Sequence, residues 1–113
     1  MTRDATKGHL DLLLLGVLAR APGHGYAVIN ALRESSDGVF DLPEGSVYPA
    51  LHRLEDQGLL SSDWAPVAGR RRRVYRITAA GRSALTAERR EWTTLTQAVD
   101  AVLRTSRRTA VAR

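Results

Sequence analysis

Between Ser46 and Thr78 the chain changes period. The stretch reads SVYPALHRLEDQGLLSSDWAPVAGRRRRVYRIT. It opens with Val47, Leu51 and Leu54 at helical spacing and closes with Tyr75 and Ile77 alternating with Val74 and Arg76. The first pattern belongs to a helix with one buried face, the second to a strand with one wet face. Four consecutive arginines, Arg70 to Arg73, fall near the tip between two strand-like runs, about Leu60–Pro66 and Arg72–Thr78. Ala68-Gly69-Arg70-Arg71 reads as the turn between them.

The flanking segments fit around this unit. A first helix is expected over His9–Arg20, after a polar, frayed start at residues 1–7, and Ala21-Pro22-Gly23 stops it. Leu10, Leu13, Leu14, Val17 and Leu18 form one apolar face, and Leu12, Leu15 and Ala19 a second. A surface helix needs one stripe, so two imply cover on both sides. A second helix is expected over Gly25–Ser35, with Tyr26, Ile29 and Leu32, and Val28 beside them, inward. After an extended link, Val39–Leu42, Ser46 is the expected N-cap of the third helix and Pro49 falls in its first turn, where a missing N–H matters little. Gly58 suits the position just past its end, with Leu59 packing back. Three helices and a two-stranded hairpin make a winged helix-turn-helix. The fold class is mainly α with a small β-hairpin, plus a C-terminal helix.

That last helix is expected from a Thr78 cap to about Arg104. Leu85, Trp92 and Val99 recur by sevens, as do Glu88, Leu95 and Val102. This is a heptad seam with one polar interruption, and a lone helix would leave it exposed. Pairing with a second copy is expected, with Leu12, Leu15, Leu85, Trp92, Leu95, Val99 and Val102 at the interface. The division is then residues 8–78, a winged-helix domain; 79–104, a dimerisation helix; and 105–113, a basic flexible tail.

Composition narrows the function classes. With 113 residues one domain is expected, and 17 basic against 12 acidic residues give a formal charge of +5. Lys7 is the only lysine, an arginine bias that a GC-rich genome alone can produce; the clustering of the arginines is harder to dismiss. Absence of cysteine removes disulfides, thiolate metal sites and thiol catalysis. His9, His24 and His52 lie on separate elements without ligand spacing, so no metal site is expected. No nucleophile–base constellation or phosphate-cradling loop is present, so neither catalysis nor a cofactor is expected. The longest apolar run, Leu12–Ala19, is too short to span a bilayer. Asp11 at its start and the lack of a cleavage site argue against a signal peptide. A cytoplasmic, nucleoid-associated protein is the expectation.

A slim helix beside a cationic loop suits double-stranded DNA, the helix for the major groove and the arginines for the phosphates. With Val47, Leu51 and Leu54 inward, Ser46, Tyr48, Pro49, His52 and Arg53 face out. Arg53 is placed to read a guanine edge, Tyr48 and Ser46 to hold phosphates, His52 to do either. Tyr48 packed on the wing and His52 merely solvated is the plainer alternative. Arg70, Arg71, Arg72 and Arg73 are candidate phosphate or minor-groove contacts; alone, such a run reads equally well as a solvated charge run. The rival reading of the whole unit is a protein-interaction module whose arginines meet an acidic partner. Trp92 is either a dimer-core filler or a π-face for flat ligands. Trp64 reads as packing.

Leu10-Asp11-Leu12-Leu13-Leu14-Leu15, His24-Gly25-Tyr26, Gly45-Ser46-Val47-Tyr48-Pro49-Ala50-Leu51-His52-Arg53-Leu54, Gly58-Leu59-Leu60, Gly69-Arg70-Arg71-Arg72 and Tyr75-Arg76-Ile77-Thr78-Ala79-Ala80-Gly81 together resemble a PadR-type transcriptional regulator over residues 8–104. The single C-terminal helix resembles the subfamily with a short C-terminal region. The resemblance implies a homodimeric repressor on a pseudo-palindromic operator, often near a transporter or stress gene. It also implies that Trp92, eleven residues after Gly81, matches the Trp that helps sandwich planar effectors in multidrug-sensing relatives. A constitutive repressor without an effector is the alternative.

Overall fold

The computed structural model describes the backbone of residues 2–112 and the side chains of residues 9–104. Its elements run α1 (Thr2–Arg20), β1 (Gly23–His24), α2 (Gly25–Ser35), α3 (Glu44–Asp56), β2 (Leu60–Val67), β3 (Arg70–Ile77) and α4 (Ala79–Ala112). The strands form one antiparallel sheet in the order β1-β3-β2.

Leu14, Leu15, Leu18, Val28, Val47, Leu51, Leu54 and Leu60 are almost wholly buried and join α1, α2, α3 and β2 in one core. Among the described residues no charged or polar side chain is buried in it. Two expected placements are corrected here. Tyr26 is not inward but 51% exposed, and Val28 fills the core in its place. Leu15 is not on an outer stripe of α1 but 1% exposed, and Leu85 at 8% joins the same core. Neither is available to a partner, because the domain's own core reaches round α1 and up the first turns of α4.

Helix ends follow local chemistry. Pro22 disfavours helical backbone at Ala21 and ends α1. Its start lies at Thr2 rather than His9, since extending a formed helix needs only propagation. His24 caps α2, its imidazole Nδ1 accepting from the Ala27 N–H at 3.3 Å. Ser46 is not the N-cap of α3: the helix starts at Glu44 behind Pro43, which caps it with no side-chain bond. Pro49 therefore sits inside the helix and leaves the Gly45 carbonyl without its intrahelical donor. At the other end, Leu59 N–H donates to Leu54 O at 2.9 Å and Gly58 N–H to Glu55 O at 2.9 Å, with Gly58 at φ +80°. This is a Schellman ending, and it turns Leu59 back onto the core.

The hairpin closes in two residues. Ala68 (φ +51°) and Gly69 (φ +80°) are both left-handed, as a type I′ turn requires. Arg70 and Arg71 are thus not in the turn but in β3, opposite Val67 and Pro66. The third strand, β1, is too short for periodicity to reveal; it pairs Gly23 with Tyr75 and His24 with Val74.

Thr78 fastens the hairpin to α4. Its N–H donates to Leu59 O at 3.1 Å, its hydroxyl donates to Gly58 O at 2.7 Å, and its Oγ1 accepts from Gly81 N–H at 3.0 Å. A side chain at Gly81 would collide with the Leu59 carbonyl, so α4 starts hard against the end of α3. Beyond Glu88, α4 is exposed through Arg104. Its backbone stays helical to Ala112, past the expected end at Arg104. The side chains of the expected tail, 105–113, lie outside the described residues.

Candidate nucleic-acid interface

The core face of α3, formed by Val47, Ala50, Leu51 and Leu54, fixes what the helix shows outward. Pro49 and His52 are exposed on the opposite side. Tyr48 lies on the flank toward α2, half-buried with its ring against Gly25. Ser46 is exposed on the other flank, as is Arg53, which turns toward α1.

Arg53 is not free. Its Nη2 and Nη1 donate to Asp11 Oδ1 at 2.7 Å and Oδ2 at 3.0 Å, a bidentate pair between α3 and α1. These bonds hold the guanidinium still more firmly in its charged form. Separation in sequence hid this contact: residues 11 and 53 lie on different elements and share no spacing rule.

The arginine run splits by strand alternation, with Arg71 and Arg73 on one face of β3 and Arg70 and Arg72 on the other. Trp64, directly across from Arg73, has the Arg73 and Arg71 guanidinium carbons 5.5 and 5.7 Å from its ring centroid. Both are cation–π contacts. Trp64 is 56% exposed, so it does not pack into the core; it carries the arginines. Glu55 holds Arg73 from below at 3.8 Å and itself accepts from the Ser62 hydroxyl at 2.6 Å. Burial, with Glu55 adding to it, raises the Tyr75 phenol above its ordinary pKa.

Helix and wing meet in a cleft of about 270 Å³. Tyr48 and His52 of α3 line it, with His24 of β1 and with Trp64, Arg71, Arg72 and Arg73 of the wing. The His52 and Tyr75 rings stand 6.5 Å apart across it. Burial, and then the charge of Arg72, lower the His24 pKa. The structure thus brings Tyr48, His52 and three of the four arginines to one basic, aromatic cleft, leaves Pro49 beside it, and ties Arg53 elsewhere. His24 and Trp64 were missed as parts of this site; a histidine just before a helix was the only signal for the first.

A second groove, of about 220 Å³, lies between α1 and α4 and is lined by His9, Leu12, Glu88, Glu91, Trp92 and Leu95. His9 meets Trp92 edge to face at 4.8 Å. Desolvation, with Asp11 and Glu91 nearby, raises the pKa of Glu88, the polar interruption of the seam. Further along, Val99 and Val102 remain exposed, with Leu103 beside them. Among the described residues no group of acids and histidines is arranged to hold a metal. No described helix is long and apolar enough to cross a membrane.

Residues 14–87 match the transcriptional regulator PadR-like family. The chain belongs to the PadR-like family. It is 53% identical over 58 residues to the transcriptional regulator Rv3488 of Mycobacterium tuberculosis, a match covering 51% of this chain and 54% of that one. The chain thus matches about half the length of that curated relative. Among solved structures it is similar to a transcriptional regulator from Clostridium thermocellum, with a TM-score of 0.79 and 27% identity over 86% of this chain and 95% of that one. A PadR family transcriptional regulator from Eggerthella lenta gives 0.77 and 32% identity over 91% and 88%. These PadR-like relatives are transcriptional regulators, not enzymes, and they share the winged-helix fold.

Proposed function

We propose that this PadR-family chain is a homodimeric repressor that binds a pseudo-palindromic operator, with α3 in the major groove and the β2–β3 wing on the backbone. The observation that carries the reading is the cleft where Tyr48 and His52 of α3 face Arg71, Arg72 and Arg73 of the wing. Ser46 and Pro49 extend the helix side of this surface and Arg70 the wing side. The arginines supply affinity that is indifferent to sequence, and the exposed residues of α3 supply discrimination.

The exposed stripe of Trp92, Leu95, Val99 and Val102 supports α4 as the dimerisation helix for the winged-helix domain, with Leu12 adding the α1 side. Two-fold pairing would set the recognition helices about 34 Å apart, one turn of DNA. The groove at Trp92 supports a small planar effector that shifts the dimer toward one geometry, a coupling on the order of 1–3 kcal/mol. Bound to chromosomal DNA, the protein works in the cytoplasm on the nucleoid.

The deciding experiment is a mobility shift with the DNA upstream of the chain's own gene and an unrelated duplex as competitor. A specific, salt-sensitive complex of two chains per site is expected. Binding only to an acidic protein partner, and not to DNA, would replace this reading with that of a protein-interaction module.

A further inference from the structure

The face that α3 turns outward has few groups able to distinguish a base pair. Ser46 offers a hydroxyl, Tyr48 is half-buried, Pro49 has no donor, and His52 offers a single ring edge. The side chain suited to a bidentate contact with guanine is Arg53. Both Arg53 nitrogens that would make that contact are already bound by Asp11, at 2.7 and 3.0 Å. The pair stays accessible, with the Arg53 and Asp11 side chains 46% and 30% exposed, so solvent screens it and a competitor can reach it. Asp11 belongs to α1, beside the groove at Trp92, rather than to the recognition helix.

We propose that Asp11 is a specificity-determining residue that withholds Arg53 from DNA. With Asp11 in place α3 discriminates through Pro49, His52 and Tyr48, and reading of guanine by Arg53 is latent. Removing the carboxylate charge weakens the acceptor that holds both terminal nitrogens of a guanidinium at the edge of the DNA-facing surface. The guanidinium then takes a phosphate or a guanine edge, adding one cationic contact per chain.

The inference rests on the DNA-binding reading above, and its test separates the two. Full-length wild type, Asp11→Asn, Arg53→Gln and the double variant are titrated onto a fluorescent duplex of the upstream region over a range of salt. Melting curves establish that each variant is folded. Arg53→Gln is expected to bind like wild type, with the same salt slope. Asp11→Asn should bind several-fold tighter, with a slope steeper by about one per engaged chain. The double variant should return to wild type. A tenfold loss of affinity in Arg53→Gln alone would overturn the proposal, because Arg53 would then already be on the DNA. Equal weakening in both single variants would overturn it too and make the pair a brace between helices. Wild type that binds no duplex would remove the DNA reading itself, and this inference with it.

Discussion

The ring of Tyr48 occupies the space that a side chain at residue 25 would need. A β-carbon built on Gly25 falls inside van der Waals contact of three Tyr48 ring atoms. Gly25 is the first residue of α2 and does not have the positive φ that demands glycine, so contact alone excludes a larger residue. Gly25→Ala is expected to push Tyr48 out of the cleft and destabilise the fold by about 1–3 kcal/mol, the usual range for overpacking. Urea unfolding of Gly25→Ala, Tyr48→Ala and the pair checks this. The double variant should recover most of the loss due to the alanine, since its methyl then has room. Strictly additive effects would show that the contact carries no energy.

Ala68 is a different case, because its strain is in the backbone. It holds φ +51° in a two-residue turn whose partner is already Gly69. An alanine there gives up about 1 kcal/mol relative to residues that tolerate the left-handed region, and Asn-Gly is the preferred pair for this turn. Ala68→Asn is expected to stabilise by up to about that amount, seen as a higher urea midpoint with an unchanged slope. The salt dependence of DNA binding should not change, as no charge is altered. A lower midpoint would refute the assignment of the turn.

The wing arginines do not share one environment, and their variants should differ. Arg73 is held by Trp64 and Glu55 and Arg71 by Trp64, whereas Arg70 is exposed at the start of β3. Replacing Arg70, Arg71 and Arg72 with alanine is expected to weaken operator and unrelated DNA alike and to lower the salt slope by about three per chain. Trp64→Ala should give a smaller loss on both DNAs, by freeing Arg71 and Arg73 to adopt many orientations. Fluorescence titration at several salt concentrations measures both effects. An unchanged slope in the triple variant would place the arginines off the DNA.

The order of elements was legible because it is written in local periodicity. The α2 bounds, the Gly58 ending and the Thr78 cap were all visible in runs of a few residues. What escaped was set by contacts between distant parts of the chain. β1 exists only because Tyr75 and Val74 offer it partners. Leu15 and Leu85 repeat at spacings that suit an interface, yet the core takes them. For the site, periodicity separated the outward residues of α3 from the inward ones. It had no means of showing that Asp11 holds Arg53, or that Trp64 supports two arginines. Side-chain pairing across elements leaves no period in a sequence.

The cap at His24 makes stability sensitive to mild acid. Its Nδ1 must keep a lone pair to accept from Ala27, and burial, then Arg72, lower the pKa of the ring. Folded His24 therefore resists protonation more than unfolded His24, whose pKa is about 6.5. Its contribution is complete above that value and is lost as the pH falls below it toward the folded pKa. His24→Asn keeps a capping oxygen without a titrating group. Urea midpoints measured down through this window should fall less in His24→Asn than in wild type. Parallel curves would show that the proton on His24 is irrelevant to stability.

The seam on α4 offers the most direct test of assembly. Leu95 and Val99 are half-exposed within one chain, so a charge there removes little from its own core. Two apolar side chains buried between helices contribute about 1.5–3 kcal/mol each, and a carboxylate in their place adds the penalty of an unpaired buried charge. Leu95→Glu with Val99→Glu is expected to leave the winged-helix domain folded and to abolish the dimer. Sedimentation at micromolar concentration should then give one chain in place of two, and operator affinity should drop because each molecule meets a single half-site. Trp92→Ala, tested beside it, should abolish quenching of tryptophan fluorescence by a planar cationic dye if the dye binds the α1–α4 groove. Quenching that survives this substitution would move the dye to Trp64, and a wild-type chain that sediments as a folded monomer would remove the seam's role altogether.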